Sequence, residues 1–206
     1  MKKYFALFLI GFCVFSIAYL LGCGQQATTT ATYISYFPLI AGRVITYEVT
    51  SHWETPISSS EVVTGESISV ETWQYVGFVS LSSTLEVFKI NISSVPHYFR
   101  EDSSGVYRYG SGTTPTTEAT VWIKYPLEVG ATWESGYIWW PHGVIAEEDV
   151  STEAGVFNCK KVDLRTFPGS WDYEWFARDV GLIKKYSGYG GVGTSWTDRE
   201  IISKNF

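Results

Sequence analysis

Residues 172–175 read Asp-Tyr-Glu-Trp, DYEW, within the longer run WDYEWFARDVGLIKKYS (171–187). Side chains alternate across a strand, so in this stretch the two carboxylates fall on one face and the two rings on the other. That pattern predicts a strand whose rings are buried while its acids stay wet. The same two-residue period recurs along the chain in short apolar runs separated by Gly, Pro, Asn, Ser or Asp, which is the signature of strands joined by turns. It predicts strands over 43–50, 66–79, 84–92, 97–101, 105–109, 119–125, 132–139, 143–150, 156–166, 172–178, 181–187 and 195–203. Helical periodicity is almost absent. Residues 145–154 come nearest to it, and their β-branched content favours a strand there too. The fold class is all-β: a curved antiparallel meander, either a half-barrel or a sandwich.

A shorter pattern occurs twice. Phe37-Pro38-Leu39-Ile40-Ala41-Gly42 and Tyr125-Pro126-Leu127-Glu128-Val129-Gly130 both read aromatic-Pro-Leu-x-x-Gly, with Ile45 or Trp133 three residues later. Proline fixes φ, leucine supplies a core side chain, and glycine admits the positive φ of a tight turn before a strand begins. Such a device used twice suggests two similar halves, each a meander of several strands.

The amino terminus has a different character. Met1-Lys2-Lys3 precedes eighteen uncharged residues, 4–21, and then Gly22-Cys23 and the polar run GQQATTTATY (24–33). As a helix those eighteen residues would reach roughly 27 Å, close to a bilayer core, so a retained membrane anchor is the competing reading. Leu20-Leu21-Gly22-Cys23 resembles the lipobox of bacterial lipoproteins, and no basic stop-transfer flank follows it. That resemblance implies cleavage before Cys23, thioether attachment of a diacylglycerol to its sulfur, and acylation of the new amine. Several acyl chains would hold the protein on a bilayer where one would be marginal. The expected organisation is a signal peptide over 1–22, a lipidated Thr-rich tether over 23–33, and a single all-β domain over 34–206. Gly24 in place of Asp is what the family's sorting rule associates with the outer membrane of two-membraned cells.

Composition narrows the partners. Cleavage would leave thirteen basic against twenty-one acidic residues, a net charge of −8, and no basic run longer than a pair, which argues against nucleic acid. Cys13 and Cys23 fall in the signal and at the lipid, leaving Cys159 alone and expected to be buried as a small core hydrophobe. Nine Trp and fourteen Tyr are heavy usage, and either fill a thin β core or line a groove for a lipid, a sugar or a peptide.

Three islands carry a wider resemblance: YFPLIAGRVITYEV (36–49), AGVFNCKKV (154–162) and WFARDVGLIKKY (175–186). Together with the lipobox they resemble a broad group of poorly characterised bacterial envelope lipoproteins, departing at Ile45, where that pattern has Trp. A looser similarity connects them to half-barrel lipoprotein carriers that shield acyl chains. The resemblance implies a curved antiparallel sheet and brings no catalytic residues. It puts Phe157, Cys159 and Val162 toward the core, with a bulge between the last two, and Gly181 at the turn between paired strands.

Gly188-Tyr189-Gly190-Gly191-Val192-Gly193 matches GxGxxG, but only thirteen residues follow it and they read as a strand rather than a phosphate-binding helix. It is a hairpin loop. His52, His97 and His142 lack any metal-binding spacing, so no metal and no cofactor are predicted. Glu147 with Asp149, and Asp172 with Glu174, share faces as a glycosidase pair would, yet solvated rows of acids explain both. No nucleophile elbow is present. Trp139-Trp140, on opposite faces of a strand before Pro141-His142-Gly143, would leave one indole exposed as a contact for a ligand or a partner.

The sequence therefore predicts a non-catalytic envelope lipoprotein, bound to the bilayer through acylated Cys23, that binds an amphiphile or an envelope protein. The alternatives are a structural component of a larger envelope assembly and a carbohydrate-acting enzyme.

Overall fold

Alternating apolar residues form twelve strands and, among the described residues, no helix. The structure, a computed structural model, describes residues 33–58, 61–134, 140–191 and 193–205. The strands are β1 (Val44–Ser58), β2 (Glu61–Ser80), β3 (Glu86–Ile92), β4 (Val95–Asp102), β5 (Gly105–Ser111), β6 (Thr120–Lys124), β7 (Thr132–Trp133), β8 (His142–Thr152), β9 (Gly155–Asp163), β10 (Ser170–Ala177), β11 (Gly181–Gly190) and β12 (Thr194–Lys204). Residues Ile34–Phe206 form one compact unit. Cys23, the signal segment and all of the tether but Tyr33 lie outside the described residues, as does Trp139.

All twelve strands belong to a single sheet, in the order β6-β5-β4-β3-β2-β1-β12-β11-β10-β9-β8-β7, with antiparallel pairing throughout. Each strand pairs with its neighbour in sequence except β6 with β7, and the first and last strands close on one another from Ile45↔Lys204 to Glu54↔Thr194. The result is an up-and-down barrel left open at the β6/β7 seam. Of the two expected forms of the curved meander it is the barrel-like one, since a sandwich would need a second sheet. Register shifts at Thr46/Tyr47, Tyr75/Gly77, Val144/Ala146 and Trp175/Phe176 supply extra residues that sharpen the local twist and help the sheet roll up.

The repeated hexapeptide sets up the two halves. Gly42 (φ +84°) and Gly130 (φ +93°) sit two residues before β1 and β7. Gly42 N–H donates to Tyr75 of β2, and Gly130 N–H to Val144 of β8, each at 2.8 Å. Tyr75 and Val144 in turn donate to the carbonyls of Arg43 and Ala131, both at 2.9 Å. Identical bonding at β1/β2 and β7/β8 makes the chain two six-strand meanders started in the same way. Ile45 and Trp133, three residues beyond each glycine, are both buried.

Phe157, Cys159 and Val162 are buried as expected. The bulge is not between the last two, however. β9 pairs regularly with β10, and the extra residue is Ile145 on β8, opposite Val162 and Lys161. Cys159 and Val162 therefore face opposite sides of β9, and both sides are covered. Burial, with Asp149 and Glu148 nearby, pushes the Cys159 thiol up to about 12, which keeps it un-ionised. Gly181 (φ +109°) opens β11 after the turn, paired with Ala177. The glycine-rich loop carries β11 through Gly190, turns with Gly191 N–H donating to Gly193, and enters β12.

Candidate functional site

One end of the rolled sheet is filled. Phe37, fully buried, lies among Trp122 (4.9 Å between ring centroids), Phe99 (5.2 Å), Trp73 and Tyr75 (both 6.3 Å). The segment carrying it is fastened on three sides. Ser35 Oγ donates to Glu101 at 2.7 Å, Tyr36 N–H donates to Tyr125 Oη at 2.9 Å, and Asp179 N–H donates to the Ser35 carbonyl at 2.9 Å. Beneath it, buried Arg43 donates to the carbonyls of Pro38 (3.2 Å) and Val180 (2.7 Å).

Above this plug the inner faces of β2–β6 and β10–β12 enclose a cavity of about 420 Å³. Trp73, Phe99, Trp122, Ile92 and Leu182 supply apolar lining, and Glu71, Glu174, Arg108, Lys185 and Arg199 supply charge. The charges form two matched groups. Glu71 accepts from Trp73 Nε1 (2.6 Å) and faces Arg199 through Nε (2.9 Å) and Nη2 (3.1 Å). Glu174 accepts from Trp122 Nε1 (2.9 Å) and from Lys185 Nζ (2.8 Å). Each acid is thus held by an indole and a cation. Because Trp122 lies on β6 and Glu174 on β10, their hydrogen bond crosses the lumen and draws the open seam together.

Asp172 also reaches Lys185, at 2.8 Å. The expectation for β10 is therefore corrected: the acids and rings do take opposite faces, but Asp172 and Glu174 turn inward, and Glu174 is only 1% exposed. Tyr173 and Trp175 occupy the outer face under Lys161, whose Nζ lies 5.0 and 4.7 Å from their ring centroids. Both faces of this strand are covered, so neither set of side chains is simply wet.

Burial favours the neutral form of an acid, and a nearby cation favours the charged form. For Glu174 burial is the largest influence, yet Lys185, then Arg108, outweigh it and hold the carboxyl below its ordinary value. For Asp172 burial, reinforced by the Glu174 charge, wins over Lys185 and raises the carboxyl to about 6. Lys185 is pulled down by burial but raised overall by Glu174 and Asp172. His97, beside Phe99 in the lining, is lowered by burial and then by Arg108, which leaves it neutral at pH 7.

A pH effect on stability follows from Asp172. Folded Asp172 keeps its proton up to about pH 6, whereas its ordinary value is 3.8, so the stability it contributes is present below 3.8 and is lost as pH rises through 6. Asp172→Asn removes that loss. With the side chain 31% exposed, the variant should gain on the parent by about 1 kcal/mol between about pH 4 and about pH 7 in urea melts. Parallel pH profiles for the two proteins would contradict the assignment.

The other predicted positions lie elsewhere. Trp140 is 38% exposed, is not among the cavity-lining residues, and carries the Arg165 guanidinium 5.3 Å from its ring. Glu147 pairs with Lys160 and Asp149 with Asn158 on the exposed β8/β9 hairpin, as solvated acids. Among the described residues no group of three or more His, Cys, Asp or Glu is placed to hold a metal ion. The cavity cations and Glu71 were missed in the sequence. The signal for them was a charge two residues from a core side chain on the same strand face: Glu71 with Trp73, Glu174 with Phe176, Arg199 with Ile201.

The fold is thus a rolled, nearly closed all-β sheet around a cavity that is part aromatic and part ionic. No known family model matches the chain, and no curated protein matches it. Among solved structures it is similar to a provisionally assigned lipoprotein of Parabacteroides distasonis, at 13% identity over 84% of this chain and 100% of that one, with a TM-score of 0.39. It is also similar to a provisionally assigned exported protein with a YmcC-like fold from Bacteroides fragilis, at 14% identity over 82% of this chain and 98% of that one, with a TM-score of 0.40.

Proposed function

We propose that this chain is a non-catalytic envelope lipoprotein, anchored by acylated Cys23, whose domain over 34–206 binds a small amphiphile in the lumen of the sheet. The cavity carries the reading. At about 420 Å³ it falls in the range of small-ligand sites, which combine apolar walls with a few placed polar groups. An amphiphile would lay its apolar part on Trp73, Phe99 and Leu182 and its polar part among the charged side chains. A bare acyl chain suits the lining less well, because it would bring only apolar surface against the charged side chains of the wall. Asp172 and Glu174 do converge, as a carbohydrate-acting enzyme would require, but both are bonded to the one Lys185, and Glu174 also to the Trp122 indole, which supports a structural role for the pair rather than acid–base chemistry.

Two measurements test the proposal. Mass spectrometry of the protein from its native membrane should find a chain beginning at a triply or doubly acylated Cys23. The chain from Gly24 onward contains the whole compact unit, and single-chain amphiphiles should quench its tryptophan fluorescence saturably through Trp73 and Trp122. An uncut amino terminus defeats the anchoring, and an unchanged spectrum across the series defeats the binding. The assembly reading draws on the outer side of β2, where Ile68 and Val70 are each more than 60% exposed. It predicts that a stable protein partner is captured from the membrane fraction.

A further inference from the structure

We infer that the lumen, where it continues past the cavity along β1, β2 and β10–β12, holds a saccharide head of the amphiphile, stacked on Trp53 and hydrogen-bonded to a row of hydroxyls. The inference rests on the proposed ligand-binding role and adds to it the chemistry of the head and the residues that read it.

The first ground is a row of side chains fixed by strand register. Residues directly opposite one another on antiparallel strands share a face. In the cavity wall one such row runs through Arg199, Lys185 and Glu174. The next row toward the end of the β1–β2 hairpin, about 7 Å further along the strands, consists of Ser67, Ser51, Thr197, Ser187 and Asp172. Four of these five carry hydroxyls, and Asp172 is bonded to Lys185. Ser51 Oγ and Thr197 Oγ1 lie 3.4 Å apart, side by side across the β1/β12 pair. A hydroxyl both donates and accepts, and it turns to suit its partner. A row of hydroxyls therefore complements a ligand whose own groups do the same, which describes a sugar better than a carboxylate or an ammonium head.

The second ground is the row beyond. It runs through Gly65, Trp53, Ser195, Tyr189 and Ser170, and both of its rings are exposed, Trp53 at 41% and Tyr189 at 54%. A Cβ placed on Gly65 would stand 2.1 Å from Trp53 Cζ2 and 2.3 Å from Cε2. The indole thus lies across the β2 backbone, in the space that any side chain at residue 65 would fill. An indole laid over a sheet in this way offers its other face to the lumen. A pyranose ring carries C–H groups on its faces and hydroxyls around its edge, so it can lie on the indole and turn its edge to the neighbouring row. Charged, hydroxyl and aromatic rows follow one another outward along the same strands. A two-ring head spans them, with its inner ring among the charged side chains and its outer ring beside Trp53, Ser51 and Thr197. The tail continues inward to Trp73 and Phe99.

The test titrates three probes into the chain from Gly24 onward at pH 7 by calorimetry, below the concentrations at which they form micelles. Octyl maltoside carries head and tail, octyl tetraethylene glycol ether has the same tail and an uncharged head without sugar rings, and maltose has the head alone. Octyl maltoside should bind at least about tenfold more tightly than the ether, the scale of one or two net hydrogen bonds. Trp53→Ala removes the platform, and Gly65→Ala displaces it with the indole still present. Each should bring octyl maltoside down to the level of the ether and leave the ether unchanged. Thr197→Val keeps the shape, removes one hydroxyl, and should weaken octyl maltoside alone by about threefold. Equal binding of octyl maltoside and the ether overturns the saccharide head while leaving the ligand-binding role intact, and binding of none of the three overturns both. Maltose binding as tightly as octyl maltoside upholds the saccharide site and overturns the amphiphile. A maltoside-to-ether ratio unchanged in Trp53→Ala and Gly65→Ala places the head elsewhere and overturns the assignment of its seat.

Discussion

Glu174→Ala should cost the domain about 3–5 kcal/mol, the largest loss expected from any charged position in the structure. The carboxylate is 1% exposed and closes two contacts at once, one to Lys185 and one across the lumen to Trp122. Removing it leaves Trp122 Nε1 without an acceptor and Lys185 facing only Asp172. Those uncompensated groups, rather than the attraction forgone, account for most of the penalty. Glu174→Gln should cost much less, because an amide oxygen still accepts from the indole. Pairing Glu174→Leu with Lys185→Met should recover a large part of the alanine loss, since apolar replacement of both partners removes the buried charges together. Equilibrium denaturation in urea at pH 7 measures all of these. A total stability of about 5–15 kcal/mol is ordinary for a domain, so the alanine variant would be visibly close to unfolding. An alanine variant within 1 kcal/mol of the parent would mean that the cross-lumen bond does not hold the β6/β7 seam.

The same residue shows where sequence reading stops. All twelve strands were legible, because turn residues bracket short alternating runs and no helical period competes with them. β1 and β2 were underestimated: their hairpin extends to Ser58 and Glu61 through Thr55-Pro56, where proline and polar residues look like a loop. Alternation also correctly separated Asp172 and Glu174 from Tyr173 and Trp175. It could not say which set faces in, because a period of two fixes only which residues share a face. The usual assumption that acids face water chose the wrong side. It failed because the acids have partners supplied from strands distant in sequence, Trp122 on β6 and Lys185 on β11, and such pairings have no local signature. Trp140, an aromatic beside a Pro-Gly turn, suggested a contact and is exposed, while the cavity is built from tryptophans in the middle of regular strands, Trp73 and Trp122, which nothing local sets apart.

The repeated hexapeptide permits a sharper test, because its two copies are equivalent in backbone bonding and unlike in packing. In the first copy the aromatic Phe37 is fully buried and Leu39 only partly; in the second Leu127 is buried at 3% exposure and Tyr125 only partly. Phe37→Ala should therefore cost about 3–5 kcal/mol, since the ring touches four others and the aromatic plug around it cannot easily collapse into the space left behind. Tyr125→Ala should cost less, through lost hydrogen bonds to Glu101 and from Tyr36 rather than through a cavity. The leucines should reverse the order, with Leu127→Ala costing about 2–5 kcal/mol and Leu39→Ala roughly half as much. That crossover is what distinguishes a duplicated strand start, adapted to plug the lumen in one half only, from two unrelated turns with similar residues. Phe37→Ala should also enlarge the cavity from below, because Trp73, Phe99 and Trp122 both touch the ring and line the cavity. If the four variants lose stability equally, the plug has been assigned to the wrong copy.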